Sequence, residues 1–426
     1  MKKQKYWYKI DNAGKLFPAI SKDARSNIFR LSFYLNENID PVLLQQAVNE
    51  TIPRFETFAV QIKNGLFWQY FGANSRIFKV ELEPARLCKH FSSYQNRGYL
   101  FKVYYLENKI TLETFHAISD GTGGMHFLKS IVYKYLKLQG YQIEHQNKIL
   151  GELPYSKKES EDTFVSNYDK NHKLRLQEEK AYHIKGEEFA NHWLLLVKIK
   201  LDTKQLLDYI KSTYHVTLTQ FISALIAYSI FNESIDFIEH KKPIKMFVPV
   251  NLRPYFDSKT LRNFSLYIKS SFSSEKRDWT FEEMLEITKA DFFDQINKDM
   301  LHQRINALVG FEKNMLIRVL PFVLKNVAFK IGYNILGEQV ITCSLSNLGI
   351  CDLPDDMKPY INDADFVNSS TGLAVTVLSI ENHTNINFAT PKKDLSIINY
   401  FVSFLTKAGL DVTIDTNYKE AYDEIL

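Results

Sequence analysis

His116, Asp120 and Gly121 stand in the string Phe-His-Ala-Ile-Ser-Asp-Gly. A run rich in β-formers, Lys-Ile-Thr-Leu-Glu-Thr-Phe, precedes them. Helical apolar spacing at Met125, Leu128, Val132 and Leu136 follows. A histidine at a strand end can serve as a general base. One ring nitrogen must face the substrate, and the other must be held so that the tautomer is defined. Asp120 can pin the turn, either as a helix N-cap or by pairing with an arginine. Gly121, Gly123 and Gly124 let a ligand or a second backbone come close. A His-x-x-x-Asp-Gly string is expected by chance about 0.02 times in such a chain. A satisfied core histidine beside a helix-capping aspartate is the competing structural reading. A metal site of His116, Asp120 and His126 is disfavoured, because His126 falls well inside the helix and the spacing is not H-E-x-x-H.

The elements that must position these residues are legible on both sides. Asn-Ile-Phe-Arg-Leu-Ser-Phe-Tyr-Leu, residues 27–35, alternates as a strand. Asp40 is a predicted N-cap with Pro41 in the first helical position, and Val42, Leu43, Ala47 and Val48 form the expected apolar face. Asn64-Gly65 joins two apolar runs as a hairpin signal. Two further strands flank a turn at Asn108 and Lys109. Residues 151–190 are dense in charge and read as an exposed linker. Beyond it come a strand from Trp193 and two helical segments, then the buried run Ile-Lys-Met-Phe-Val-Pro-Val-Asn-Leu. Helical stretches at Phe281–Phe293 and Asn314–Tyr333 follow, with strands near Val340–Ser346 and Ala374–Ile380. The second helical stretch reads as a packing helix, with a membrane surface or a guard on an acyl tunnel as the lesser readings. The partition is 1–150, a polar linker 151–188, and 189–426, two α/β units with helices on mixed sheets.

Composition bounds the function. The chain has 426 residues, 45% apolar and 24% charged, which excludes disordered, collagenous and disulfide-built classes. Net charge is +4 and the pI near 8.6, too mild for a nucleic-acid partner. Aromatics reach 14%, which fits an aromatic-lined pocket or, more blandly, an A+T-rich genome. Three cysteines, Cys88, Cys343 and Cys351, match no metal pattern and point to a reducing compartment. The basic N-terminus has no apolar run behind it, and Phe221–Phe231 is shorter than the ~20 residues of a membrane span. A cytoplasmic protein without stable membrane insertion is expected.

The His116 segment resembles the HHxxxDG motif of the chloramphenicol-acetyltransferase-like superfamily, which includes alcohol O-acetyltransferases, plant acyltransferases, mycobacterial polyketide-associated acyltransferases and peptide-synthetase condensation domains. His116 matches the second histidine, the family's general base; Phe115 replaces the first. The segment Val248–Phe264 resembles the family's second-domain stretch. The resemblance implies that Arg253 pairs with Asp120 and that Asn263 lies beside the tunnel. Cys343–Pro354 resembles the Ser-Asn-Leu-Gly segment of the alcohol-acetyltransferase branch. There Ser346, or Ser344, is the implied oxyanion donor and Asn347 its support; a simple turn at a strand end is the alternative. The plant DFGWG motif is broken after Asp365-Phe366.

The resemblance implies two tandem domains with an active-site tunnel between them. It implies acetyl-CoA or another acyl-CoA as co-substrate and an alcohol or amine acceptor. No metal and no covalent intermediate are needed, since a thioester is already activated. Two alternatives remain open: ester or amide formation on a thioester held by an acyl carrier protein, and a non-catalytic relative that binds a carrier or a peptide.

Overall fold

The computed structural model describes residues 6–11, 14–90, 96–170, 179–234, 241–313, 324, 325, 327, 330 and 338–418. The alternating segment forms the strand Ile28–Leu35, inside a five-stranded sheet. The sheet order is 361–368, 28–35, 109–115, 101–106, 81–82. Its long strands pair antiparallel, with Leu31 opposite Leu112 and Phe33 opposite Ile110. Strand periodicity sends Phe29, Leu31, Phe33 and Leu35 to one face, all buried. The helices Pro41–Thr51 and Gly121–Leu138 contribute to the same core. On the other face Arg30 is buried and paired with Glu113 and Glu83.

Asp40 caps its helix by accepting from the Val42 and Leu43 amides. The buried stripe of that helix is Leu44, Ala47, Val48 and Thr51, while Val42 is 73% exposed. The expected face was one residue out of phase at its start, because the first turn runs along solvent. The hairpin at Asn64-Gly65 closes with four loop residues, Gly65 N donating to Trp68 O, and Asn64 pairs with Gln69. It belongs to a small sheet with the strand Trp7–Lys9.

The second sheet has seven strands in the order 265–272, 244–251, 343–350, 373–380, 383–390, 195–202, 413–416. It is mixed: Cys343–Ile350 runs parallel to both neighbours and the remaining pairs are antiparallel. The helices Thr203–Thr213, Leu218–Glu233, Phe281–Gln295 and Ser396–Lys407 share one apolar core with it. Leu378, Ile380 and Ala389, on its other face, join the first core instead.

The strand Ile361–Asn368 lies late in the chain yet pairs with Ile28–Leu35 at the edge of the first sheet. It also faces the second sheet. Asn387 Nδ2 donates to Phe366 O and Asn385 Nδ2 to Ala364 O, while Lys198 bridges Asp363 and Asp365. The two sheets are therefore stitched along one strand by side chains. The stretch 151–188, read as exposed, is anchored in several places: Glu159 is buried against Arg54, and Phe164 and Tyr182 are buried. The helical stretch read at Asn314–Tyr333 lies outside the described residues, apart from Leu324, Lys325, Val327 and Lys330. Among the described residues no single helix is long and apolar enough to cross a membrane.

Candidate active site

The strand Lys109–Phe115 delivers His116 to the end of the first sheet, where its amide donates to Asn27 O. Asp120 then caps the helix Gly121–Leu138, its Oδ1 accepting from Gly123 N at 3.1 Å. The glycines answer which partner comes close. A Cβ on Gly123 would lie 2.1 Å from Leu261 O, so a second stretch of backbone occupies that space. A Cβ on Gly121 would press on the Leu348 side chain at 2.8 Å.

Asp120 and Arg253 join the two halves of the chain. Arg253 donates through Nη1 to Asp120 Oδ2 at 2.9 Å and through Nη2 to Oδ1 at 3.0 Å, a two-pronged pairing that only a guanidinium offers. Its Nε donates to Thr260 O and its Nη2 also to Arg262 O. The Phe264 amide donates to Asp120 Oδ2, and Ser119 Oγ donates to Leu261 O. Between residues 260 and 264 the backbone is thus tied at every residue except Asn263, and there the side chain takes over.

Asn263 fixes the tautomer of His116. Its Nδ2 donates to the His116 carbonyl at 2.9 Å, which sets the amide's orientation. Oδ1 must then face the ring, 2.8 Å from Nδ1. An amide oxygen only accepts, so Nδ1 carries a proton, and in the neutral ring Nε2 keeps the lone pair. Phe17 stacks on the imidazole at 4.7 Å between centroids, and Phe29 meets it edge-on at 5.3 Å. The ring is held on two sides and through one nitrogen.

His116 lines a cavity of about 1030 Å³ whose walls come from both halves of the chain. Asp120, Gly121, Arg253 and Asn263 stand behind it and do not line the space. Ser346 and Ser344, from the strand Cys343–Ile350, do line it. Ser346 Oγ accepts from Asn368 Nδ2 at 3.1 Å, which leaves its own proton to be given elsewhere. Asn347 points away: it donates to Thr219 and accepts from Gly349 N, outside the cavity lining. His126 is largely buried, and burial together with nearby Lys129 lowers its pKa to about 4. Among the described residues no group of three or more His, Cys, Asp or Glu is placed to hold a metal ion. Cys88, Cys343 and Cys351 are buried free thiols.

Several lining residues went unnoticed in the sequence. Asn368 has a weak signal, two residues past the broken Asp365-Phe366 motif. Phe17, Phe164, Leu266 and Leu308 have none, because one aromatic or leucine among many carries no mark of facing a cavity.

No protein-family model matches the sequence, and no curated protein matches it. Solved structures do match. The polyketide synthase associated protein 5 of Mycobacterium tuberculosis superposes with a TM-score of 0.61 at 12% identity, over 93% of this chain and 96% of that one. The trichothecene 15-O-acetyltransferase of Fusarium sporotrichioides gives 0.58 at 12% identity, over 94% and 96%. The starter condensation domain of rhizomide synthetase, solved with C8-CoA and Leu-SNAC, gives 0.57 at 12% identity, over 94% and 93%. The chain has the mixed α/β fold of these structures.

Proposed function

We propose that this chain is an acyltransferase that moves an acyl group, most simply acetyl, from a CoA thioester to an alcohol or amine. The reading rests on one observation: a cavity-lining histidine whose Nδ1 proton is held by Asn263, leaving Nε2 as a base. Residues 1–150 and 189–426 form two acyltransferase-like units in this reading, with 151–188 crossing between them and the cavity as the reaction tunnel.

His116 Nε2 takes the proton of the acceptor's hydroxyl or amine as that atom attacks the thioester carbonyl. The carbonyl π electrons move onto oxygen, where the Ser346 hydroxyl donates to the developing charge. When the tetrahedral species collapses, the C–S bond breaks and the thiolate takes the proton from His116. The base contributes about 10²–10⁴ in rate and the oxyanion donor about 10²–10³. Asp120 and Arg253 never touch the reacting atoms; they hold the loop. The seryl, threonyl and amide wall formed by Ser344, Ser346 and Asn368–Thr371 suits the two amides of a pantetheine arm. That arm is common to CoA and to carrier proteins, and the likeness to a condensation domain keeps a carrier-bound donor as the second reading.

The test is thiol release from acetyl-CoA and longer acyl-CoAs with a panel of alcohols and amines. Acceptor-dependent release that falls at least about a hundredfold in His116→Ala supports the reading. Release from carrier-bound donors alone moves the assignment to the second reading, and equal behaviour of both proteins with every donor sinks both.

A further inference from the structure

The walls of the cavity differ in chemistry. One is the hydroxyl and amide wall described above. The other is apolar: Phe164, Leu266 and Leu308, with Phe17 and Trp68, come from separate elements. Phe164 and Leu266 are buried to 2% and 5% exposure, and with Leu252, Phe264, Leu301, Ile305 and Val309 they form a third small core. Leu308, half-buried on top of this cluster, is the member that opens most to the cavity, with Phe164 and Leu266 packed behind it. Polar groups border the wall: Glu312, one helical turn beyond Leu308, is paired with Lys15, and Lys15 and Lys325 lie over the Trp68 ring. Water held against such a wall gains little by staying, so the ligand that fits it is apolar.

We infer that the acceptor is lipophilic, a medium- to long-chain or bulky apolar alcohol, and that the wall of Phe164, Leu266 and Leu308 selects it. The inference rests on the acyltransferase reading for the word acceptor; the apolar ligand itself rests on the wall alone. The donor is assigned to the other wall because a pantetheine arm needs partners for its amides, and the side chains of Phe164, Leu266 and Leu308 offer none. The volume agrees: about 1030 Å³ is at the upper end of small-molecule cavities of about 300–1,000 Å³. With the pantetheine arm on the opposite wall, a short alcohol would leave the space along Phe164, Leu266 and Leu308 unfilled.

Binding separates this inference from the reaction. The full chain is titrated calorimetrically with 1-propanol and 1-octanol, then assayed with both as acceptors of acetyl-CoA. Each methylene buried on the wall is expected to raise affinity and kcat/KM by about fourfold, so octanol is favoured by well over tenfold. Leu308→Gln should cut the octanol-to-propanol ratio at least tenfold in both measurements, and Leu308→Met should keep it. Thermal melting of both variants checks the fold. Equal affinity for the two alcohols overturns the inference. So does a Leu308→Gln effect that tracks the acyl-CoA chain length instead of the alcohol, which would give the wall to the acyl chain. Octanol binding that is weakened by Leu308→Gln, with no turnover of any donor, would remove the acyltransferase reading and leave the apolar site standing.

Discussion

The corner that holds His116 and the wall that carries Ser346 face the same cavity but are built by opposite rules. In the corner, Asp120 accepts from Arg253, Gly123 and Phe264, and Asn263 grips His116 from two directions. On the wall, Ser346 has a single side-chain partner, Asn368, and the neighbouring hydroxyls belong to a short run between two strands. In the proposed reaction the base works only if its lone pair points one way, and the corner is fully tied. A binding wall must accommodate a ligand, so its donors keep free capacity. Rigidity is concentrated where the proposed reaction moves a proton.

The strongest way to break this contrast is to untie the corner. Arg253→Ala leaves a buried Asp120 carboxylate without its counter-charge, and unfolding in urea should show a loss of about 3–5 kcal/mol. Arg253→Lys should recover only part of it, since an ammonium cannot match both oxygens. Untying the wall should spare stability and cost rate. Ser346→Ala is expected to lower kcat by about 10²–10³ with KM little changed, and Asn368→Ala to lower it less, by about tenfold. An effect of Asn368→Ala as large as that of Ser346→Ala would mean that the wall is as rigid as the corner.

Asn263→Asp sharpens the point within the corner. The carboxylate would still accept from Nδ1 but would favour the imidazolium, so the acid limb of the pH–rate profile should move up by about one unit. A purely structural asparagine would lower activity without moving that limb. The smallest effect lies further along the motif helix. His126 has its folded-state pKa lowered to about 4 by burial. The unfolded chain therefore binds this proton first as pH falls below about 6.5, and stability is lost between there and about pH 4. His126 keeps some solvent contact, which tempers the loss to about 1–2 kcal/mol. His126→Leu should flatten that part of the stability profile.

The sequence alone determined the local pieces. Strand and helix periods placed Ile28–Leu35, Pro41–Thr51 and Gly121–Leu138, and capping chemistry named Asp40 and Asp120, because these depend on neighbours within a few residues. The rarity of the His116 string singled out the proposed base, and a family resemblance supplied Arg253 and Asn263 as its companions. Only the tertiary structure decided how Asn263 sets the tautomer, since that needs two hydrogen bonds across 147 residues of chain. It also decided that Ile361–Asn368 crosses to the first sheet and brings Asn368 to Ser346. The apolar wall was illegible for the same reason. Phe164, Leu266 and Leu308 look like any core residue until distant segments meet, because facing a cavity depends on what is missing from one side of a side chain, and a sequence records only what is present.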